Sequence, residues 1–218
     1  CKKIFCYSEK IKNFPKNLEY KMTIINPLVR EKIYKMDLAS KKNKKFNILI
    51  VGGSQGASIF NNNLKELVVK FSQNNLIRIF HQTNEKNIQF LKDFYSKNNI
   101  ENNVFSFEKN FDKILYQTDL CITRAGASTL AELSILNIPF IAIPLPTSKD
   151  NHQLENANFY KENDCCWLIE QHLFEEKIED CLRCIFEKKE DFMKKKENLK
   201  KLNFQNTWIN VNQKIFKI

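Results

Sequence analysis

From residue 46 to the end of the chain, short β-rich apolar runs take turns with longer stretches of helical period. The runs fall at 46–51, 77–81, 104–107, 120–123, 140–144 and 165–169. Helical segments are expected at 57–72, at 85–98, in a short piece ending at 117, and at 128–136, 151–162, 173–187 and 190–201. A further one is expected at 205–218. In 57–72, Ile59, Phe60, Leu64, Leu67, Val68 and Phe71 recur three and four apart, which lines one face of a helix. Mostly apolar strands, each followed by a helix, predict an α/β fold with a parallel sheet covered on both faces. Such a sheet takes ligands beyond the carboxyl ends of its strands, near the point where the strand order reverses.

The 218 residues, 43% of them hydrophobic, suit one substantial domain or two small ones. Residues 1–38 read as fragments: a strand near 4–7, another near 22–25, then "NPLVR" and a helical turn ending at Met36. The chain begins at Cys1 and looks like a piece of something longer. A polar linker, 39–45, separates 1–38 from the main body at 39–218.

Charge and cysteine content exclude several roles. The net charge is +10, yet only Arg30, Arg78, Arg124 and Arg183 are arginines among 35 basic residues. Base readout and bidentate phosphate clamps favour arginine, so no nucleic-acid partner is expected. "EKKEDFMKKKENLKK" reads as a solvated helix with Phe192, Met193 and Leu199 turned inward. Cys181 and Cys184 form a CxxC, but Ile178, Leu182 and Ile185 beside them make it the apolar face of a helix. With no second ligand pair, no metal and no redox cofactor are expected. Seven scattered cysteines suit reduced thiols in the cytosol. No apolar run approaches the ~20 residues needed to span a bilayer.

Two turns carry glycine. "VGGSQGAS" follows the first run and "RAGAST" the fourth. Gly52, Gly53 and Gly56 allow a sharp turn and close approach of a ligand to the backbone. The turn is neither GxxxxGK[ST] nor GxGxxG, and a plain tight turn explains it equally well. In the second turn Ala125, Gly126, Ala127 and Ser128 are small, so a phosphate could reach the start of the following helix. Ser128 and Thr129 add hydroxyl donors. Glu132 lies one turn on, where a carboxylate could accept both hydroxyls of a ribose, or could be an ordinary surface residue. A third polar turn, "LPTSKDNHQLENANFY", opens another helix. Gln153 and Asn156 there share a face and could read sugar hydroxyls. Simple capping by Asp150 or Asn151 is the alternative. Together the three turns fit a nucleotide-sugar at one edge of the sheet.

"GGSQGA", "RAGASTLAE" and "DNHQLENA", in this order and spacing, closely resemble the carboxyl-terminal half of the MurG family. "NPLVR", "HQT" (His81 to Thr83) and "FEKNF" (Phe107 to Phe111) agree with it. The family transfers N-acetylglucosamine from UDP-N-acetylglucosamine to lipid I, giving lipid II in peptidoglycan synthesis. The resemblance implies a GT-B architecture, with this chain as its Rossmann-like donor-binding domain. It implies an inverting, metal-independent reaction in which an acceptor C4 hydroxyl attacks the anomeric carbon and UDP leaves. Carried over by motif, Ser54 lies at the donor cleft. Ala127, Ser128, Thr129, Leu130, Ala131 and Glu132 cradle the nucleotide, with Glu132 on the ribose. Gln153 and Asn156 face the N-acetylglucosamine, and Arg30 approaches the nucleotide end. Glu108 occupies a position whose backbone meets the uracil and which is usually apolar. Asn84 stands where the family has glycine after "HQT", and an asparagine could supply the same positive φ.

The family's amino-terminal domain binds lipid I, supplies the expected catalytic base and meets the membrane. Residues 1–38 are expected to be its remnant and the connector. The full enzyme would be cytoplasmic and peripheral on the inner face of the plasma membrane. Alternatives are the catalytic subunit of a two-chain UDP-N-acetylglucosamine transferase, or a non-catalytic remnant.

Overall fold

The computed structural model describes residues 1–7, 9, 11, 14–37, 44–53, 58–203 and 206–216. Two short strands, β1 (Ile4–Cys6) and β2 (Met22–Ile24), pair in parallel apart from the main sheet. A single-turn helix, α1 (Glu31–Tyr34), follows. The main body then runs β3 (Phe46–Val51), α2 (Ser58–Ser72), β4 (Ile77–Gln82), α3 (Glu85–Lys97), β5 (Glu101–Phe105) and α4 (Phe111–Gln117). It continues through β6 (Leu120–Thr123), α5 (Ala127–Ile135), β7 (Phe140–Ala142), α6 (His152–Glu162) and β8 (Cys166–Leu168). Three helices close the chain: α7 (Phe174–Glu187), α8 (Lys189–Leu202) and α9 (Trp208–Phe216).

Six strands form one sheet in the order β5-β4-β3-β6-β7-β8, and every pairing is parallel. The order reverses between β3 and β6, the central pair. Successive residues of β3 point to opposite faces. Ile48 and Ile50 enter one core with α2, α3 and α7, while Leu49 and Val51 enter the other with α4, α5, α6 and α8. Both faces are therefore buried, which is why β3 and β6 read as apolar runs broken only by Asn47 and Thr123. Ile33 of α1 is 1% exposed and belongs to the second core, so the segment before β3 packs onto the body.

Helices α3, α5 and α6 end without glycine. Asn99, Asn137 and Asp164 take left-handed φ of 57°, 52° and 51° directly after their C-caps. In each case the next amide reaches back to close the last turn: Ile100 to Tyr95 O (2.9 Å), Ile138 to Leu133 O (2.9 Å) and Cys165 to Tyr160 O (2.8 Å). These are Schellman closures made by Asn and Asp, whose short polar side chains tolerate that backbone. The three described glycines, Gly52, Gly53 and Gly126, are thereby left to the segments that follow β3 and β6.

Three expectations are corrected. Met193 is 50% exposed, because α8 buries Lys195 and Leu199 and leaves Met193 on the outer face. Lys195 is 5% exposed and survives burial by pairing with Asp164 (2.7 Å) and lying 4.9 Å from the Trp167 ring centre. Asn84 does not take positive φ. It sits at φ −74° as the N-cap of α3, and its side chain accepts the Asn87 amide at 3.1 Å.

Candidate functional site

Val51 at the end of β3 is paired with Thr123 at the end of β6, so the turns that follow leave the sheet side by side. Gly53 needs its φ of 83°, where a side chain would be strained. Gly126 has an ordinary φ of −69°, yet a Cβ built there would meet nothing within 4 Å. Its hydrogen side chain keeps a space open rather than permitting a turn. Ser54, with Gly56 and Ala57, lies outside the described residues.

Gly126 is the N-cap of α5 and offers no side-chain cap. The first intrahelical bond runs from Leu130 N to Gly126 O (3.0 Å), so the amides of Ala127, Ser128 and Thr129 precede it. They and the helix dipole make an anion-favouring end. Ala127 and Ser128 are exposed and Thr129 half-buried. Leu130 is fully buried in the core, so its side chain is closed to a ligand. Ala131 is 2% exposed but lines the cleft. That cleft, of about 300 Å3, runs between α5 and α6 beneath Tyr7, Pro27 and Leu28.

Glu132 is 9% exposed rather than a free surface residue. Its carboxylate is gripped by Arg30, with Nε 2.7 Å from Oε1 and Nη2 2.9 Å from Oε2. The fork raises the arginine pKa further, against the opposing effect of burial. The structure thus joins two residues that the sequence analysis placed separately.

The two amides each divide their attention. Gln153 Oε1 accepts the Leu145 amide (3.0 Å) and steadies the loop before α6. Asn156 Nδ2 donates to Ala125 O (3.0 Å) and ties α6 to the small-residue turn. The NH2 group of Gln153 and the carbonyl of Asn156 take no part in these two bonds. Asp150 and Asn151 do not cap α6 through their side chains. Both adopt left-handed φ (52° and 55°), and the N-cap Asn151 makes no side-chain bond. Two such residues in a row mark a strained entry to the helix. Glu108 turns its side chain back to accept the Asn110 amide (2.8 Å). A glutamate is accommodated there because its charge serves the turn into α4.

Arg124 was not singled out by motif. Its guanidinium lies 5.1 Å from the Phe60 ring centre and donates to Ile143 O (3.2 Å) and Pro144 O (3.5 Å). Burial lowers its pKa. It makes no ion pair with a carboxylate among the described residues, so it leaves positive charge at the ends of β6 and β7. The scarcity of arginine was the available signal: two of the four in the chain stand at this edge.

Behind the edge lies a buried polar group. His81 Nδ1 is 2.9 Å from Tyr95 Oη, and Asn61 Nδ2 donates to Thr83 Oγ1 (2.9 Å). His81 Nε2 and Asn61 Oδ1 find no partner among the described residues. No trio of His, Cys, Asp or Glu there is placed to hold a metal ion. No helix among them is long and apolar enough to cross a membrane.

Residues 47–209 match the glycosyltransferase family 28 C-terminal domain. The whole chain is 43% identical to the UDP-N-acetylglucosamine–N-acetylmuramyl-(pentapeptide) pyrophosphoryl-undecaprenol N-acetylglucosamine transferase of Pelagibacter ubique, and spans 62% of that relative. The transferase of the same name from Rickettsia felis is 34% identical over an alignment that covers 78% of this chain and 51% of the relative. Among solved structures, Acinetobacter baumannii MurG superposes with a TM-score of 0.67 at 24% identity, over 86% of this chain and 54% of that one. The C-terminal CMP-Kdo binding domain of WaaA from the same organism gives 0.53 at 9% identity, over 72% of this chain and 89% of that one. The chain belongs to glycosyltransferase family 28, of which it carries the carboxyl-terminal domain.

Proposed function

We propose that this chain binds UDP-N-acetylglucosamine and forms the donor half of an inverting N-acetylglucosaminyltransferase acting on lipid I. The observation that carries the reading is the pairing of an uncapped α5 N-terminus with a positioned carboxylate, Glu132, less than two turns away at the switch point of the sheet. The diphosphate would lie over Gly126 and the amides of Ala127, Ser128 and Thr129, and the ribose on Glu132. Gln153 and Asn156 would take the sugar. As an acceptor hydroxyl attacks the anomeric carbon, negative charge grows on the departing UDP. A fixed helix dipole stabilises that charge without reorganising. The acceptor site, the general base and the contact with the membrane are assigned to the rest of the full-length protein, in line with the family resemblance.

Titration calorimetry with UDP and with inorganic pyrophosphate tests this. Glu132→Gln should weaken UDP binding about tenfold to a hundredfold, the scale of hydrogen bonds to a charged acceptor. Pyrophosphate, which has no diol, should not bind more weakly. Glu155→Gln, on the α6 wall of the cleft between α5 and α6, should change neither by more than about twofold. Equal small effects of both substitutions on UDP would show that Glu132 does not read the ribose.

A further inference from the structure

Glu132 could hold a diol only if its carboxylate plane were fixed, and one residue fixes it. The Arg30 fork takes one lone-pair site on each oxygen, at 2.7 and 2.9 Å, from 102 residues earlier in the chain. A carboxylate offers about four such sites, so one remains on each oxygen. Two acceptors set a carboxylate's width apart match two adjacent hydroxyls that must donate together. An unforked carboxylate would turn about its broad terminal torsion and lose that match.

The arginine is itself anchored. It is the N-cap of α1, whose Ile33 is 1% exposed. Lys32 is ion-paired with Asp112, and Tyr34 Oη donates to Asn206 Oδ1 at 3.2 Å. The fork also offsets the charge of a carboxylate that would otherwise repel a nearby diphosphate. Lysine, a single rotatable point charge, could supply the charge but not the plane.

We infer that Arg30 is a positioning residue that makes Glu132 a reader of vicinal diols and so sets a preference for ribonucleotides over 2′-deoxyribonucleotides. This rests on the reading of Glu132 as the ribose-binding group. Arg30 acts through the carboxylate and need not touch the ligand.

The test is equilibrium titration of the full chain with UDP and with 2′-deoxy-UDP, for the parent, Arg30→Met and Arg30→Lys. The parent should prefer UDP by about tenfold or more, the scale of one hydrogen bond to a charged group. In Arg30→Met that ratio should fall to about twofold or less. In Arg30→Lys more of the UDP affinity should remain, but the ratio should still collapse. A general loss of folding or of phosphate attraction weakens both ligands together and leaves the ratio intact. A preserved ratio in Arg30→Met therefore overturns the inference while Glu132 keeps its role. Absence of any preference in the parent overturns both readings. Tighter UDP binding by Arg30→Met would mean that the fork blocks the carboxylate, which also overturns the inference.

Discussion

His81 should make the fold lose stability between pH 7.5 and pH 5. Its ring is fully buried, and burial alone holds its pKa down from 6.5 to about 3. The folded chain therefore keeps the imidazole neutral through this range, whereas the unfolded chain protonates it below pH 6.5. The unfolded state binds the extra proton, so stability falls as pH falls, by up to 1.36 kcal/mol per unit for one group. Integrated from pH 7.5 to 5.0 the loss is about 2 kcal/mol, a large share of the roughly 5–15 kcal/mol available to a domain. The acidic groups whose pKa values are lowered by ion pairs, Glu101, Asp112 and Asp164, act in the same direction but mostly at lower pH. Stopping at pH 5 keeps them largely out of the measurement. With a urea m-value of about 2 kcal/mol/M, the unfolding midpoint should drop by about 1 M. A His81→Gln variant, whatever its stability at pH 7.5, should lose less over the same interval. NMR gives an independent reading, since the His81 ring signals should not titrate between pH 8 and pH 5. A midpoint unchanged from pH 7.5 to 5.0, or a His81 signal that moves with a midpoint near 6.5, would refute the argument.

Gly126→Ala should cost no more than about 1 kcal/mol, because its φ is ordinary and the added methyl meets nothing while alanine is the poorer N-cap, yet it should weaken UDP binding by occupying the proposed phosphate space. Thermal melts and calorimetry together read both effects, and unchanged affinity would place the phosphate elsewhere. Gly53→Ala should instead cost about 1–2 kcal/mol in stability, from its φ of 83°. Lys195→Met should change stability by no more than about 1 kcal/mol in a urea titration, because the half-exposed Asp164 keeps Lys194 at 2.8 Å and an apolar side chain suits the buried position. The chain alone, which spans 62% of the Pelagibacter relative, should bind donor but give no transfer to a lipid I analogue above background. Radiolabelled transfer by the isolated chain would show that it holds an acceptor site and a base.

The features legible in the sequence are the local ones. The central strands declared themselves because burial on both faces leaves 46–51 and 120–123 apolar but for Asn47 and Thr123. Both glycine turns sat where β3 and β6 end because small residues between a strand and a helix are a short-range pattern. The missing parts are long-range. Nothing near "NPLVR" announces that Arg30 closes on Glu132, since the pair is made by tertiary packing. Lys195 was read as solvated because its burial depends on Asp164, contributed by the far end of α6. The left-handed Asn99, Asn137 and Asp164 were missed because asparagine and aspartate also occur freely in helices and caps. Asn84 was misread for the same reason: a turn residue and an N-cap have the same composition.

The anchoring of the segment before β3 has a consequence for the order in which the protein is made. Tyr34 is held by Asn206, 172 positions later, and the Asn206 side chain also lies 3.5 Å from Pro27 O, 179 positions back. Contacts of such separation form late, since the loop they close must first exist. A chain emerging from the ribosome can lay β3, β4 and β6 together and expose the turns proposed to bind phosphate long before residue 206 appears. The arginine that squares the Glu132 carboxylate gains its full footing only afterwards. A nascent chain stalled short of Asn206 should therefore hold pyrophosphate while discriminating ribose poorly, so that recognition of the nucleotide matures as the stretch around Asn206 is made.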